Sequence, residues 1–315
     1  MSAILDAVVP LFTLVILGFV AGKRRWIDAA GVKALVRFIF NIAMPALLFR
    51  LVVISDITGL IDPRFILCHI TAQAAAALIG ALLAWLLIRP DPPGLVIQGF
   101  GSSFPNSVLL GIPLMLALYG ERGAVPVTMI FAFNVALYSL VTMLLEIVGR
   151  KGGNIAPLAL LDTTMRAIIG NPIILAALGG VVVGALGFGL APVLDRTLGF
   201  LGQAGPPTAL FALGASLSVR EVARGLRGPL GAAALMTTCK LLVHPALAWT
   251  MAVPILGLDP FLAAAAVIIA ALPVGANVYI FAQHYDVAIP EASSAILIST
   301  GISMVTLPVL LWFIV

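Results

Sequence analysis

The side chains of this sequence that could do chemistry are few, and nearly all of them lie inside long apolar runs. In the run 95–119, the stretch GSSFPNSVLLGIP (residues 101–113) sets Ser102, Ser103, Pro105 and Asn106 almost side by side. In the run 261–284, the stretch ALPVGANVYIFAQ carries Pro273 and Asn277. Lys240 and His244 lie one helical turn apart, on one face, in the run 229–253. Asn41 and Pro45 fall in the run 33–53, and Gln203 falls in the run 192–219 just ahead of Pro206 and Pro207. A proline inside a helix removes a backbone donor and clashes with the carbonyl four residues back. The second half of such a broken helix begins with unpartnered N–H groups and the positive end of its dipole. Two beginnings of this kind, near Asn106-Ser107 and near Gly275-Ala276-Asn277, converging on one point would hold an anion. The first halves end in carbonyls around Ser102-Ser103 and Ala271-Leu272, which suit a cation or a proton donor. This is the chemistry of binding, not of bond breaking.

The elements that must position these residues are membrane helices. The chain has 315 residues, 62% hydrophobic and 10% charged, with a mean hydropathy of +1.19, more apolar surface than a soluble domain could cover. Apolar runs of about twenty residues match a hydrocarbon core of about 30 Å. Ten recur: 4–22, 33–53, 64–88, 95–119, 124–149, 171–188, 192–219, 229–253, 261–284 and 291–315. The first has no basic residues ahead of it and no small-residue cleavage pattern, so it reads as a span and not a cleaved signal. Pro105 and Pro273 lie ten and twelve residues into their runs, near the bilayer midplane at about 1.5 Å per residue. Unwound backbone survives at that depth only when buried in protein or lining a wet cavity, so the two breaks are expected against each other.

Charge sets the orientation. Lys23, Arg24, Arg25, Lys33, Arg89, Arg150, Lys151, Arg166, Arg220, Arg224 and Arg227 fall on one side of the ten runs. Arg50, Arg64, Arg122 and Arg196 fall on the other. The positive-inside rule then places both termini outside the cytoplasm of a multi-pass cell (inner) membrane protein. The net charge of +4 is explained by these loops and gives no reason to expect nucleic acid.

The halves repeat. Corresponding runs start at 4 and 171, at 64 and 229, and at 124 and 291, and Pro105 and Pro273 are separated by a similar interval. Asn41 with Pro45 corresponds to Gln203 with Pro206-Pro207 at a slightly shorter one. Five runs per repeat is an odd number, so the second copy enters from the opposite side. The expected fold is all-α: ten transmembrane helices in two inverted five-helix repeats, 1–151 and 171–315. The stretch 152–170 forms a cytoplasmic connection with an interfacial helix around Leu158–Ile169. Matched, proline-interrupted segments in inverted repeats are the sequence sign of a secondary transporter site.

Each polar residue also has a plainer reading. Intramembrane serines and asparagines often cap helices or join them. Lys240 is either a substrate counter-ion or proton exchanger, or a donor to carbonyls freed by a break. His244 is a second candidate for coupling or counter-ion beside Lys240, with a structural histidine as its plainer reading; His69 reads as structural, and Glu146, Asp6 and His284 lie close enough to run ends to snorkel. Cys68 and Cys239 fall inside runs, as buried thiols with no disulfide or metal framework. GxSxG, HExxH, GxGxxG and Walker patterns are missing, so neither an enzyme nor an ATP-driven pump is expected, and no cofactor or metal is implied.

The strings FIFNIAMPALLF, SSFPNSVLLGIPL, NPIILA and ALPVGANVYIFAQ, in this order and spacing, resemble the auxin efflux carrier family, which includes bacterial carriers and the plant PIN proteins. The resemblance covers essentially the whole chain. It implies the ten-helix architecture shared with bile-acid sodium symporters. A scaffold domain would comprise 4–53 and 171–219. A transport domain would comprise 64–149 and 229–315, its fourth and ninth helices crossing at Pro105 and Pro273. It places a substrate-facing asparagine at Asn106 and the scaffold contribution at Asn41 and Pro45, and allows a homodimer through the scaffold. The long cytoplasmic loop of many plant members is absent. The expected function is secondary-active transport of small organic anions, mono- or dicarboxylates, by alternating access, with H+ or Na+ as a coupling ion. The competing readings are a sodium-coupled symporter of bile-acid type and a sensor or channel that binds an anion without alternating access.

Overall fold

A computed structural model describes residues 2–54, 62–149, 170–187, 189–218 and 230–314, and every regular element among them is helical. In chain order these are α1 (Ser2–Lys23), α2 (Ala29–Phe38), α3 (Met44–Ile54), α4 (Pro63–Leu87), α5 (Pro92–Ser103), α6 (Ile112–Tyr119) and α7 (Ala124–Gly149). They continue with α8 (Pro172–Ala185), α9 (Pro192–Ser218), α10 (Leu230–Thr238), α11 (His244–Thr250), α12 (Pro260–Ala271), α13 (Ala276–Tyr285) and α14 (Ile289–Ile314). The expected interfacial helix around Leu158–Ile169 and the basic residues at 150, 151, 166, 220, 224 and 227 lie outside the described residues.

Among the described residues, five helical stretches are long and apolar enough to cross a membrane: Ala29–Ile54, Pro63–Leu87, Ser107–Ile130, Leu230–Ile255 and Ile289–Ile314. The third passes through a 3-10 turn, Gly120–Gly123, where Gly120 takes a left-handed φ of 62°. Shorter apolar helices accompany them, Pro172–Ala185 and Pro260–Ala271 among these. The protein is therefore an all-helical, polytopic membrane protein.

Helix starts follow a repeated local rule. Asp62, Asp91, Asn171 and Asp259 each cap a helix whose first turn carries proline, and each side chain accepts a bond from a backbone N–H of that turn. The cap satisfies one orphan donor, and proline supplies a preset φ where no donor is needed. Inside the membrane stretches, prolines leave another mark. Wide π turns at Ile39–Ala43, Ser107–Gly111 and Cys239–Val243 are followed by Pro45, Pro113 and Pro245, and a fourth, Met251–Ile255, contains Pro254. A proline cannot bond the carbonyl four residues back and collides with it, so the preceding turn winds wider.

Packing is closest where side chains are smallest. α1 runs along α9, with Gly18 and Gly22 of one helix facing Gly214 and Ser218 of the other. A Cβ at Gly18 would lie 2.0 Å from the Phe211 carbonyl oxygen, and one at Gly214 would lie 1.8 Å from that of Val15. With no hydrophobic drive between helices in lipid, such small-residue ridges let the backbones approach. α3 lies along α8 and against α9, while α4 packs on α5 and α11, and α10 packs on α14 and α5.

Candidate functional site

The site is built from two short extended stretches that interrupt helices. α5 ends at Ser103, Phe104 is extended (φ −83°, ψ 115°), and a π turn resumes at Ser107. α12 ends at Ala271, Leu272 and Gly275 are extended (ψ 150° and 143°), and α13 starts at Ala276. The two stretches lie antiparallel, with Pro105 opposite Val274. The Asn106 N–H donates to the Pro273 carbonyl (2.9 Å) and the Gly275 N–H donates to the Phe104 carbonyl (2.9 Å). The Val274 N–H donates to Ser299 Oγ of α14 (3.0 Å). Each break thus supplies partners for the other, which a buried backbone requires. The fit is tight, because a Cβ on Gly275 would lie 2.6 Å from the Phe104 ring and 2.8 Å from the Pro105 carbonyl oxygen.

The candidate side chains divide into three groups. Ser102, Ser103 and Asn106 are buried at the break, with Pro105 and Pro273. Ser103 Oγ turns back to the Phe100 carbonyl (3.3 Å), and Ser102 packs against Gly80 and beside the Cys239 thiol. The Asn106 Nδ2 and Ser107 Oγ atoms are buried without a protein partner. Asn277, half-buried, donates its amide N–H to the Tyr138 hydroxyl. Tyr138 and Ser299 were not singled out in the sequence, since one lies in an unbroken helix and the other is one serine among several in α14. The Tyr138 ring belongs to an aromatic cluster with Phe100, Phe104 and Phe281, their centroids 4.9–6.3 Å apart.

The second group lies behind the break. Lys240 is fully buried and donates to the carbonyl of Ala270, in the last turn of α12. Its Nζ is 3.1 Å from His244 Nδ1, and His69 of α4 is buried as well. Lys240 thus donates to a carbonyl at the end of the first half-helix and stands beside a histidine of its own helix. The third group is exposed. Asn41 lines a recess of about 470 Å³ with Lys33, Arg37 and Phe38. Gln203 is exposed on α9 and Pro45 is half-buried. Among the described residues no group of histidine, cysteine, aspartate or glutamate side chains could hold a metal ion.

The arrangement can present a buried amide, a hydroxyl and the start of a helix to a small polar molecule while keeping its own backbone satisfied. A polytopic helical bundle with such an interruption belongs to the class of membrane transport proteins. A family profile described as "Membrane transport protein" matches residues 3–311. The chain belongs to this family, which includes the auxin efflux carriers. It is 34% identical over 317 residues to a protein of Rhizobium meliloti (strain 1021) whose name points to malonate transport, covering 100% of this chain and 97% of that one. It is 24% identical to auxin efflux carrier component 8 of Arabidopsis thaliana, over 95% of this chain and 92% of that one. It is also 24% identical to the lysosomal cholesterol signaling protein of Mus musculus, over 99% of this chain but 37% of that longer protein.

Proposed function

We propose that this protein is a secondary-active carrier of small organic anions, mono- or dicarboxylates of malonate size, and that substrate binds at the paired breaks. The single observation that carries the reading is the buried Asn106 Nδ2, which has no protein partner at the point where two interrupted helices meet. A buried donor without a partner costs free energy, and a carboxylate oxygen would relieve it. The starts of the π turn at Ser107 and of α13 at Ala276 add helix-end N–H groups. Pro105 and Pro273 make the crossover of two inverted five-helix repeats. A transport body (64–149 and 229–315) moves against a scaffold (4–53 and 171–219), which brings Asn41, Pro45 and Gln203 to the substrate. Lys240, bonded at the end of α12, ties any coupling proton to the break. Both termini face away from the cytoplasm.

The test is ligand-induced thermal stabilisation of the purified protein with malonate and related small carboxylates. Asn106→Ala should abolish the shift. In proteoliposomes, Asn106→Ala and Pro105→Ala should each lower anion flux by at least tenfold; undiminished flux in both would sink the site. Uptake with and without a sodium gradient separates this reading from a sodium symporter. A second reading, a sensor that binds without moving its ligand, draws on the match to the cholesterol signaling protein. It predicts the thermal shift without flux.

A further inference from the structure

One polar contact joins elements that the proposed mechanism sets moving against each other. Arg50, near the end of α3, donates from Nε to Asp195 Oδ1 (2.6 Å) and from Nη2 to Asp195 Oδ2 (3.4 Å), in the first turn of α9. Its remaining arm, Nη1, donates to Glu121 Oε1 (2.9 Å) in the 3-10 turn between α6 and α7. α3 packs along α8 and α9, so the Arg50–Asp195 half of the contact lies within one packed group of helices. On the two-body reading, Glu121 falls in the transport body, 64–149 and 229–315. The next residue, Arg122, lies over the Phe261 ring of α12, 4.0 Å from its centroid, and Tyr119 packs edge-on to the same ring (5.0 Å). The turn that carries Glu121 is therefore anchored to the helix leading into the Pro273 break.

We propose that Arg50, held by Asp195, and Glu121 form an ionic latch that closes the Glu121 face of the carrier and must open in each transport cycle. The inference rests on the two-body reading above. Asp195 is the positioning residue: its two contacts fix the guanidinium plane and leave one arm to cross the boundary. Side-chain exposure of 21% for Arg50, 35% for Asp195 and 57% for Glu121 keeps the contact near water. Exposed pairs are weak, which suits a latch, because a deeply buried pair would hold one state against the small energy differences of a transport cycle. Lys240, with His244 beside it, lies away from this contact, behind the break.

The test labels a cysteine at the break with a membrane-impermeant thiol reagent. The reporter is Ser107→Cys, in a background where the buried Cys68 and Cys239 are replaced by alanine. The face is defined by the labelling of a separate Glu121→Cys variant. Glu121→Gln and Arg50→Gln should each raise reporter labelling from the Glu121 face about two- to five-fold, the range an exposed pair supports, and lower it from the opposite face. Glu121→Arg should raise it further. The swap Arg50→Glu with Glu121→Arg should return it towards the starting value, since Arg at 121 would meet Glu at 50 and Asp195. Unchanged labelling in both glutamine variants, or a swap that restores nothing, overturns the latch. Glu121 is exposed enough that its glutamine variant carries the test if an Arg50 variant fails to fold. If the unaltered latch already gives labelling from one face only, with and without malonate, the two-body reading itself falls.

Discussion

Gly275 and Asn106 show how much of this site depends on single atoms. A methyl at Gly275 has nowhere to go between the Phe104 ring and the Pro105 carbonyl. Gly275→Ala should therefore lower stability by about 1–3 kcal/mol, the usual cost of overpacking, read as a lower melting temperature in detergent. Asn106 has the opposite character. Its side-chain Nδ2 is buried without a partner, so Asn106→Leu, similar in shape but apolar, should raise stability by roughly 1–3 kcal/mol while removing any malonate-induced shift. Equal melting temperatures with the ligand shift retained would refute this. Asn106 was legible in the sequence because it follows Pro105 in an apolar run. Tyr138 was not, because a hydrogen bond across 139 residues leaves no local pattern.

At the scale of elements, the caps make the sharpest prediction. Asp62 starts α4, accepts from the Arg64 N–H (2.8 Å), and is paired with the Arg64 guanidinium (2.8 Å). The bonded guanidinium holds the Asp62 carboxyl below its ordinary 3.8. A lowered carboxylate stabilises the fold above its unfolded value, and that stabilisation is lost as pH falls through the lower folded value. Asp62→Asn should therefore flatten the loss of melting temperature below about pH 4; identical pH profiles for the two proteins would remove Asp62 from the account. The Asp-Pro and Asn-Pro pairs that begin α4, α5, α8 and α12 are plain in the sequence. The π turns are not. Pro45, Pro113 and Pro245 signal disturbance, but only the surrounding helices decide whether a chain breaks, as at Pro105, or widens by one residue, as before Pro245.

At the scale of the molecule, the orientation is testable with single cysteines. Replacements at Arg25 and at Arg122 should label from opposite faces of the membrane, with Arg25 on the cytoplasmic side; labelling from one face would end the proposed topology. Membrane class, the helix caps, the family strings and the two proline breaks were legible in the sequence, because hydropathy, capping and proline chemistry act over a few residues. The long-range pairings came from packing alone. It joined Phe104–Asn106 to Pro273–Gly275, turned Lys240 towards Ala270, gave Asn277 to Tyr138 and bridged Arg50 to both Asp195 and Glu121. These pairings satisfy backbone and charge that apolar surroundings would otherwise leave unpaired. Which distant group answers which need depends on how the helices pack, and that information is spread over the whole chain.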